Sequence, residues 1–140
     1  MTGSEETLAH RWFEEVWNQK RESAIDELMA VDSIVHDIVG PDGKEIRGSA
    51  GFKPFFRHFC TAFPDMRITI EDALVDGDKI AMRCRVIATH TGPGVMPAPT
   101  SKAISITGMC IIRIENGKIA EGWNNFDFLS MYRQLGMQLS

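Results

Sequence analysis

Ile111-Ile112-Arg113-Ile114-Glu115-Asn116-Gly117-Lys118-Ile119-Ala120-Glu121-Gly122-Trp123-Asn124-Asn125-Phe126-Asp127 decides how this chain is read. Asn116-Gly117 separates two runs rich in β-branched and aromatic residues. A two-residue hairpin turn needs positive φ at both central positions, which Asn and Gly tolerate. A turn of that length predicts Ile114 opposite Ile119, Ile112 opposite Glu121 and Cys110 opposite Trp123. Period two then puts Ile119, Glu121, Trp123, Asn125 and Asp127 on one face, with Ile106, Gly108, Cys110, Ile112 and Ile114 opposite. That face is mostly apolar and is expected to be buried. It also carries two carboxyls and an amide, and a buried polar group without a partner costs free energy. Those groups therefore need a reason to be there.

Working outward, 140 residues suit one ordinary domain, 1–140. Such a chain buries roughly two-thirds of its unfolded surface, enough for a core and a small cavity. Hydrophobic residues make up 44% and charged residues 24%, with a net charge of −4. An acidic chain of this kind has nothing to attract a polyanion, so neither nucleic acid nor an anionic membrane is an expected partner. No apolar run reaches the length of a membrane span, and Met1 to Glu6 is polar, unlike a signal peptide. Cys60, Cys84 and Cys110 are odd in number and scattered, which fits free thiols in a reducing, cytoplasmic setting. CxxC, HExxH, GxGxxG and GxxxxGK[ST] are all missing, so no metal or organic cofactor is expected.

In chain order, Glu5 to Trp17 reads as a helix with Leu8, Trp12, Phe13, Val16 and Trp17 on one stripe and Ser4 as its cap. Ser23 to Met29 is a second helix, and Ser33 to Val39 a strand with Ile34, His36 and Ile38 sharing a face. Gly40-Pro41-Asp42-Gly43 is a turn, with Ile46 in a short returning strand. Ser49 to Phe63 is a third helix. Its Phe52, Phe55, Phe56, Phe59 and Phe63 form a continuous aromatic stripe, and Pro54 is awkward beyond its first turn. Strands follow at Arg67 to Val75, Asp78 to His90, Lys102 to Ile114 and Lys118 to Asp127, with a Gly/Pro-rich loop from Thr91 to Ser101. Phe128 to Leu135 is a last short helix, stopped by Gly136. This order is α+β: a twisted antiparallel sheet with helices on one face and a conical cavity between them.

Gly51-Phe52-Lys53, Phe63-Pro64-Asp65, Gly77-Asp78-Lys79, Thr89-His90-Thr91-Gly92, Asn116-Gly117-Lys118-Ile119, Glu121-Gly122-Trp123, Asp127 and Gln134-Leu135-Gly136 occur in this order. Together, from about Thr7 to Gly136, they resemble the SnoaL-like polyketide cyclase (ester cyclase) family. That resemblance implies the cone-shaped nuclear-transport-factor-2-like, or cystatin-like, fold. It implies a lyase or isomerase type of enzyme that closes a ring of an aromatic polyketide ester by intramolecular aldol condensation, without a cofactor. It also implies an acid/base carboxylate four residues after the tryptophan, which is Asp127, and a homo-oligomer. Ala98-Pro99-Thr100-Ser101-Lys102 stands where the family often has Pro-Pro-Thr-Gly-Lys, so the loop at the cavity mouth departs from the pattern.

Two roles fit Asp127. As an enolising base it would need burial, here beside Trp123 and Phe128, to raise its pKa. As the residue before the last helix it is also a favoured N-cap. His90, at a strand end, is a second catalytic candidate that would polarise a carbonyl or orient Asp127; the alternative is a histidine bonded to backbone. Trp123 and Asn125 share the face of Asp127, one suited to stacking on a ring and the other to donating to an enolate oxygen. His36, Phe13, Phe56, Phe59 and Cys110 complete the candidate substrate-binding set, and each also has a plain core-packing reading. Glu121 reads as structural, paired with a base. Arg83 and Arg85 alternate away from His90, toward a solvated or interface face.

Two functions of different classes follow. One is a cofactor-independent acid/base enzyme, a cyclase or a dehydratase or hydrolase using the same cavity. The other is a non-catalytic module of the same fold that holds a hydrophobic aromatic small molecule. Ile87, Met109 and Ile111 on the helix-free sheet face predict a homodimer or higher homo-oligomer.

Overall fold

A computed structural model describes residues 4–138, with side chains from residue 6 onward. The Ser4 cap falls outside the described side chains. Helix α1, Ser4–Arg11, runs on into a wider π-helical stretch, Trp12–Asn18. The Gln19 N–H reaches back five residues to the Glu14 carbonyl at 2.8 Å. The expected single helix is therefore broadened in its second half. Trp12, Phe13, Val16 and Trp17 all end up buried on this turn. Helix α2, Ser23–Leu28, passes directly into β1, Met29–Val39, so β1 starts at Met29 rather than Ser33. After a turn closed by Gly43 N–H on the Gly40 carbonyl, β2, Glu45–Arg47, returns beside it. Helix α3, Gly48–Ala62, carries Pro54 inside it and buries Phe52, Phe55 and Phe56. Strands β3, Arg67–Asp76, β4, Lys79–Thr89, β5, Ala103–Glu115, and β6, Lys118–Phe126, form a meander, and α4, Phe128–Gln134, closes the described chain.

Among the described residues one sheet runs in the order β2-β1-β6-β5-β4-β3. It is antiparallel except where β1 meets β6, which run parallel. The curved antiparallel sheet expected from the sequence is present, with this one parallel pairing added to it. The chain crosses from β1 through α3 to the far edge, and three hairpin turns bring it back to β1 travelling the same way. The sheet is curved and open, with the helices packed into its concave side.

The hairpin forms at Asn116-Gly117, where φ is 52° and 74°, and Ile114 faces Ile119 as expected. Beyond that pair the register slips. Arg113 faces Glu121, Ile112 faces Gly122, Ile111 faces Trp123 and Cys110 faces Asn124. Ala120 is the extra residue of a β-bulge, and one extra residue turns every later side chain to the other face. Gly122, Asn124 and Phe126 therefore point into the cone, while Glu121, Trp123 and Asn125 point out. The register with Ile112 opposite Glu121 and Cys110 opposite Trp123 is overturned, and with it the buried face proposed for Glu121, Trp123, Asn125 and Asp127.

The helical side is tied together by charge. Arg11 Nε donates to Glu15 Oε2 at 2.6 Å, and Arg21 bridges Glu15 and Glu27. Hydrogen bonds from Arg11 and then Arg21 hold the Glu15 carboxyl down at about 2. A carboxyl that binds its proton less readily folded than unfolded adds stability above its unfolded pKa. That stability is lost as pH falls through the folded value. The protein is thus expected to weaken between about pH 4.5 and about pH 2, and Glu15→Gln to flatten that part of the acid limb. Urea midpoints measured through this range check it; superimposable acid limbs would show that Glu15 contributes nothing.

Candidate functional site

The concave face of the sheet and the helices enclose a cavity of about 110 Å³. Its floor is made by Trp12, Trp17, Met29, Ser33, Phe52 and Ile119, all buried. The lining residues that are only half-buried include Val35, Ile38, Phe59, Asn124, Phe126 and Phe128, which mark the mouth. They cluster because the second halves of β1 and β6 end there, beside α4 and the end of α3. Phe128 packs 5.8 Å from Phe59 and 6.5 Å from Phe126.

Among the described lining residues no carboxylate, imidazole or ammonium appears. Apart from the indole N–H groups and the Cys110 thiol, the polar side chains are those of Ser33 and Asn124. The neighbouring Cys84 thiol and burial push the Cys110 thiol up, so it stays protonated. Asn124 Nδ2 donates to the His36 carbonyl at 3.2 Å, which fixes the amide against β1. One N–H of that NH₂ group and the Oδ1 acceptor remain for a ligand. Ser33 is fully buried, and its Oγ has no hydrogen-bond partner among the described residues.

The expected site residues divide. Phe13, Phe59 and Cys110 line the cavity. Phe56 does not; it is buried against Trp17, with ring centroids 5.5 Å apart. Trp123, Asn125 and His36 lie on the outer sheet face. There His36 stacks on Trp123 at 5.2 Å, Lys79 Nζ sits 5.5 Å over the same ring, and His36 Nε2 meets Glu121 Oε2 at 2.7 Å. Glu121 also accepts from Arg113 Nε at 3.2 Å, and His36 first, then Arg113, hold its carboxyl below the usual range. Its reading as a paired structural residue thus matches its surroundings.

Asp127 is exposed and caps α4, its Oδ1 accepting the Ser130 N–H at 3.0 Å. It borders a shallow outer depression with Arg83, Met109 and Asn125. The burial beside Trp123 and Phe128 expected for a base is not found; Asp127 is exposed. His90 is fully buried but is not among the cavity-lining residues; its ring packs 5.3 Å from that of Phe63, which is. Its Nδ1 accepts the Thr100 N–H at 3.1 Å, so Nε2 carries the proton and donates to the Gly94 carbonyl at 2.8 Å. With both ring nitrogens engaged, His90 staples the Thr91–Lys102 loop across the end of β4. Arg83 and Arg85 occupy the outer face, both bound to Glu71.

Gly108 does not leave room for a ligand. A Cβ there would come within 2.1 Å of Phe126 Cδ1, so the missing side chain makes space for the Phe126 ring. Sequence reasoning passed over Ser33, Asn124, Val35 and Ile38. Asn124 was hidden by the bulge. Strict alternation puts Ile38 on the face of His36, but Asp37 has φ 71° and breaks the alternation between them. Ser33 stood at the assumed strand start, where nothing distinguishes a lining hydroxyl from a cap.

Among the described residues no three His, Cys, Asp or Glu side chains gather as metal ligands would, and no helix is long and apolar enough to cross a membrane. A family model described as SnoaL-like polyketide cyclase matches residues 7–135. A search of curated proteins gave no match. TsrD from Streptomyces laurentii superposes with a TM-score of 0.82 at 23% identity, covering 95% of each chain. IdmH from Streptomyces antibioticus, described as a candidate polyketide cyclase, gives 0.81 at 27% identity, covering 96% of this chain and all of its own. AclR from Streptomyces galilaeus, described as a candidate hydroxylase, gives 0.82 at 23% identity, covering 97% of this chain and 83% of its own. The likenesses at 23% identity show a shared fold, the curved α+β cone.

Proposed function

The chain belongs to the SnoaL-like polyketide cyclase family, and on that premise we propose that its cavity closes a ring on a flat, mostly apolar, carbonyl-bearing small molecule. The observation that carries this reading is the lining: an apolar, aromatic wall that offers the amide of Asn124 near its mouth and the hydroxyl of Ser33 on its floor. Such a wall holds a flexible precursor folded, and ordering two reacting carbons in one cavity removes much of the entropic barrier. The ring closure is an aldol addition of the substrate's own enol. A carbon–carbon bond forms between the enol carbon and a carbonyl carbon, and the enol O–H proton passes to the oxygen that was the carbonyl. The Asn124 N–H donates to the oxygen on which negative charge develops. No lining base is needed for this step, which suits a lining without a carboxylate. The acid/base roles expected for Asp127 and His90 have less support, since one is an exposed cap and the other a buried loop staple.

The test is turnover by Asn124→Leu and Asp127→Asn side by side, on a ring precursor the parent accepts. A binding module of the same fold is a second reading, favoured by the scarcity of ionisable groups in the lining. It predicts ligand binding by the parent with no cyclised product.

The protein is further proposed to be a homodimer through its outer sheet face. Met109 and Ile111 stand 56% and 41% exposed there, two residues apart on β5, and Ile87, 54% exposed, lies further along the same face on β4, opposite Ser105. Exposed apolar side chains on one open sheet face are the kind of surface that a second copy covers across a two-fold axis. Light scattering at micromolar concentration is expected to give about twice the chain mass of 15.7 kDa. A mass near 15.7 kDa would refute the dimer.

A further inference from the structure

We propose that Ser33 is the residue that reads the leading end of the ligand: its hydroxyl donates a hydrogen bond to an oxygen carried at the far tip of the molecule that enters the cavity. The inference rests on the cavity being the ligand site, and it adds which atom on the floor selects what enters.

Three observations converge on Ser33. Its side chain lines the cavity, is fully buried, and has no partner for Oγ among the described residues. Buried hydroxyls are nearly always bonded, because leaving one unpaired costs much of its desolvation penalty. The backbone around it is also irregular in a directed way. Between Met29 and Ile34, β1 spends five steps where β6 spends two, from Ile119 to Glu121. β1 thus bulges against β6, beside the Ala120 bulge that β6 makes against β5, and bulges next to sites re-aim side chains. Here the bulge brings Ser33 onto the cavity floor, while Val31 stands out in solvent, 83% exposed. Core packing gives no reason for a serine at this position, since its neighbours on the floor are Trp12, Met29, Phe52 and Ile119.

Register fixes how far this hydroxyl lies from the amide at the mouth. Val35 pairs with Gly122 and His36 with Trp123, so Asn124 is level with Asp37, four residues beyond Ser33. At a rise of 3.3 Å per residue the two polar groups are about 13 Å apart along the wall. Allowing a hydrogen bond of about 2.8 Å at each end leaves roughly 7 Å for the ligand between them. That is the length of two fused six-membered rings. The ligand class is therefore a bicyclic or cyclising carbonyl compound with an oxygen at each end and apolar edges.

The probes are 2-tetralone and tetralin, a ketone and the hydrocarbon of the same ring system. Binding is read by quenching of Trp12 and Trp17 and confirmed by calorimetry, on the parent and on Ser33→Ala, with melting temperatures of both. The parent is expected to bind 2-tetralone about tenfold more tightly than tetralin, one hydrogen bond's worth. Ser33→Ala is expected to bind the two alike, to keep the parent's affinity for tetralin, and to melt no lower than the parent. If Ser33→Ala keeps the tenfold preference, or if it melts well below the parent, the hydroxyl serves the fold and the proposal is overturned while the cavity reading stands. If neither probe binds the parent, the cavity reading fails and this proposal fails with it.

Discussion

Asn124→Leu is expected to lower turnover about 10²- to 10³-fold while leaving the fold intact, the loss typical of removing one donor aimed at a developing oxyanion. Leucine matches asparagine in side-chain heavy-atom count and branching and suits the apolar lining. Among the described residues, the side-chain bond lost is the 3.2 Å contact to the His36 carbonyl. Asp127→Asn is the counterpart. Its carboxylate caps α4 from the surface, and asparagine caps about as well, so neither stability nor turnover should move. Asp127→Ala removes the cap and should cost about 1 kcal/mol of stability, again with turnover retained. The pair separates two chemistries. A buried base at Asp127 would make Asp127→Asn the inactive variant and Asn124→Leu a mild one. That reversal would return the mechanism to acid/base catalysis and would require Asp127 to turn inward when substrate binds. Single-turnover rates beside urea midpoints decide between them.

The contrast between those two residues shows what the sequence made legible. Asn116-Gly117 announces its turn because few other pairs accept two positive φ values in succession, and the whole β3-to-β6 meander follows from it. The aromatic stripe of α3 is legible for a similar reason: five phenylalanines at helical spacing have one way to be buried together. The Ala120 bulge carries no such mark. Ile119-Ala120-Glu121 satisfies strict alternation, and only the neighbour decides otherwise. Ile119 must pair with Met29, Gly122 with Val35, and β1 has surplus residues to absorb between them. Parallel pairing of β1 with β6 is equally hidden, since it joins residues 87 to 90 positions apart with no hairpin to signal it. The general region of the site was therefore readable, while the inward member of Trp123-Asn124-Asn125 was not. A one-residue error in register exchanges the lining of a cavity for the outside of a sheet.

Phe52→Ala is expected to destabilise the protein by about 3–5 kcal/mol, the cost of deleting a buried aromatic and leaving a void. Phe52 is 4% exposed and is the hub of the helical side. Its ring centroid lies 5.1 Å from that of Trp12, 5.9 Å from Trp17 and 5.5 Å from Phe55. These tilted and edge-on contacts link the π-helical stretch to α3, so one truncation loosens two elements. Each aromatic pair adds ~0.5–1.5 kcal/mol beyond area burial, which argues for the upper part of the range. A domain of ordinary stability has about 5–15 kcal/mol in all, so the variant would lose at least a fifth of it and could lose most. Phe56→Ala is the informative comparison. Phe56 is as buried as Phe52 and packs on Trp17, yet it does not line the cavity. Both truncations should lower the urea midpoint, but only the void left by Phe52 opens onto the ligand space. Tetralin at saturating concentration should therefore recover part of the stability lost in Phe52→Ala and no more than the parent's gain in Phe56→Ala, because a ligand that binds only the folded state stabilises it in proportion to its affinity. Equal rescue of the two variants would mean that the floor of the cavity is not where Phe52 puts it.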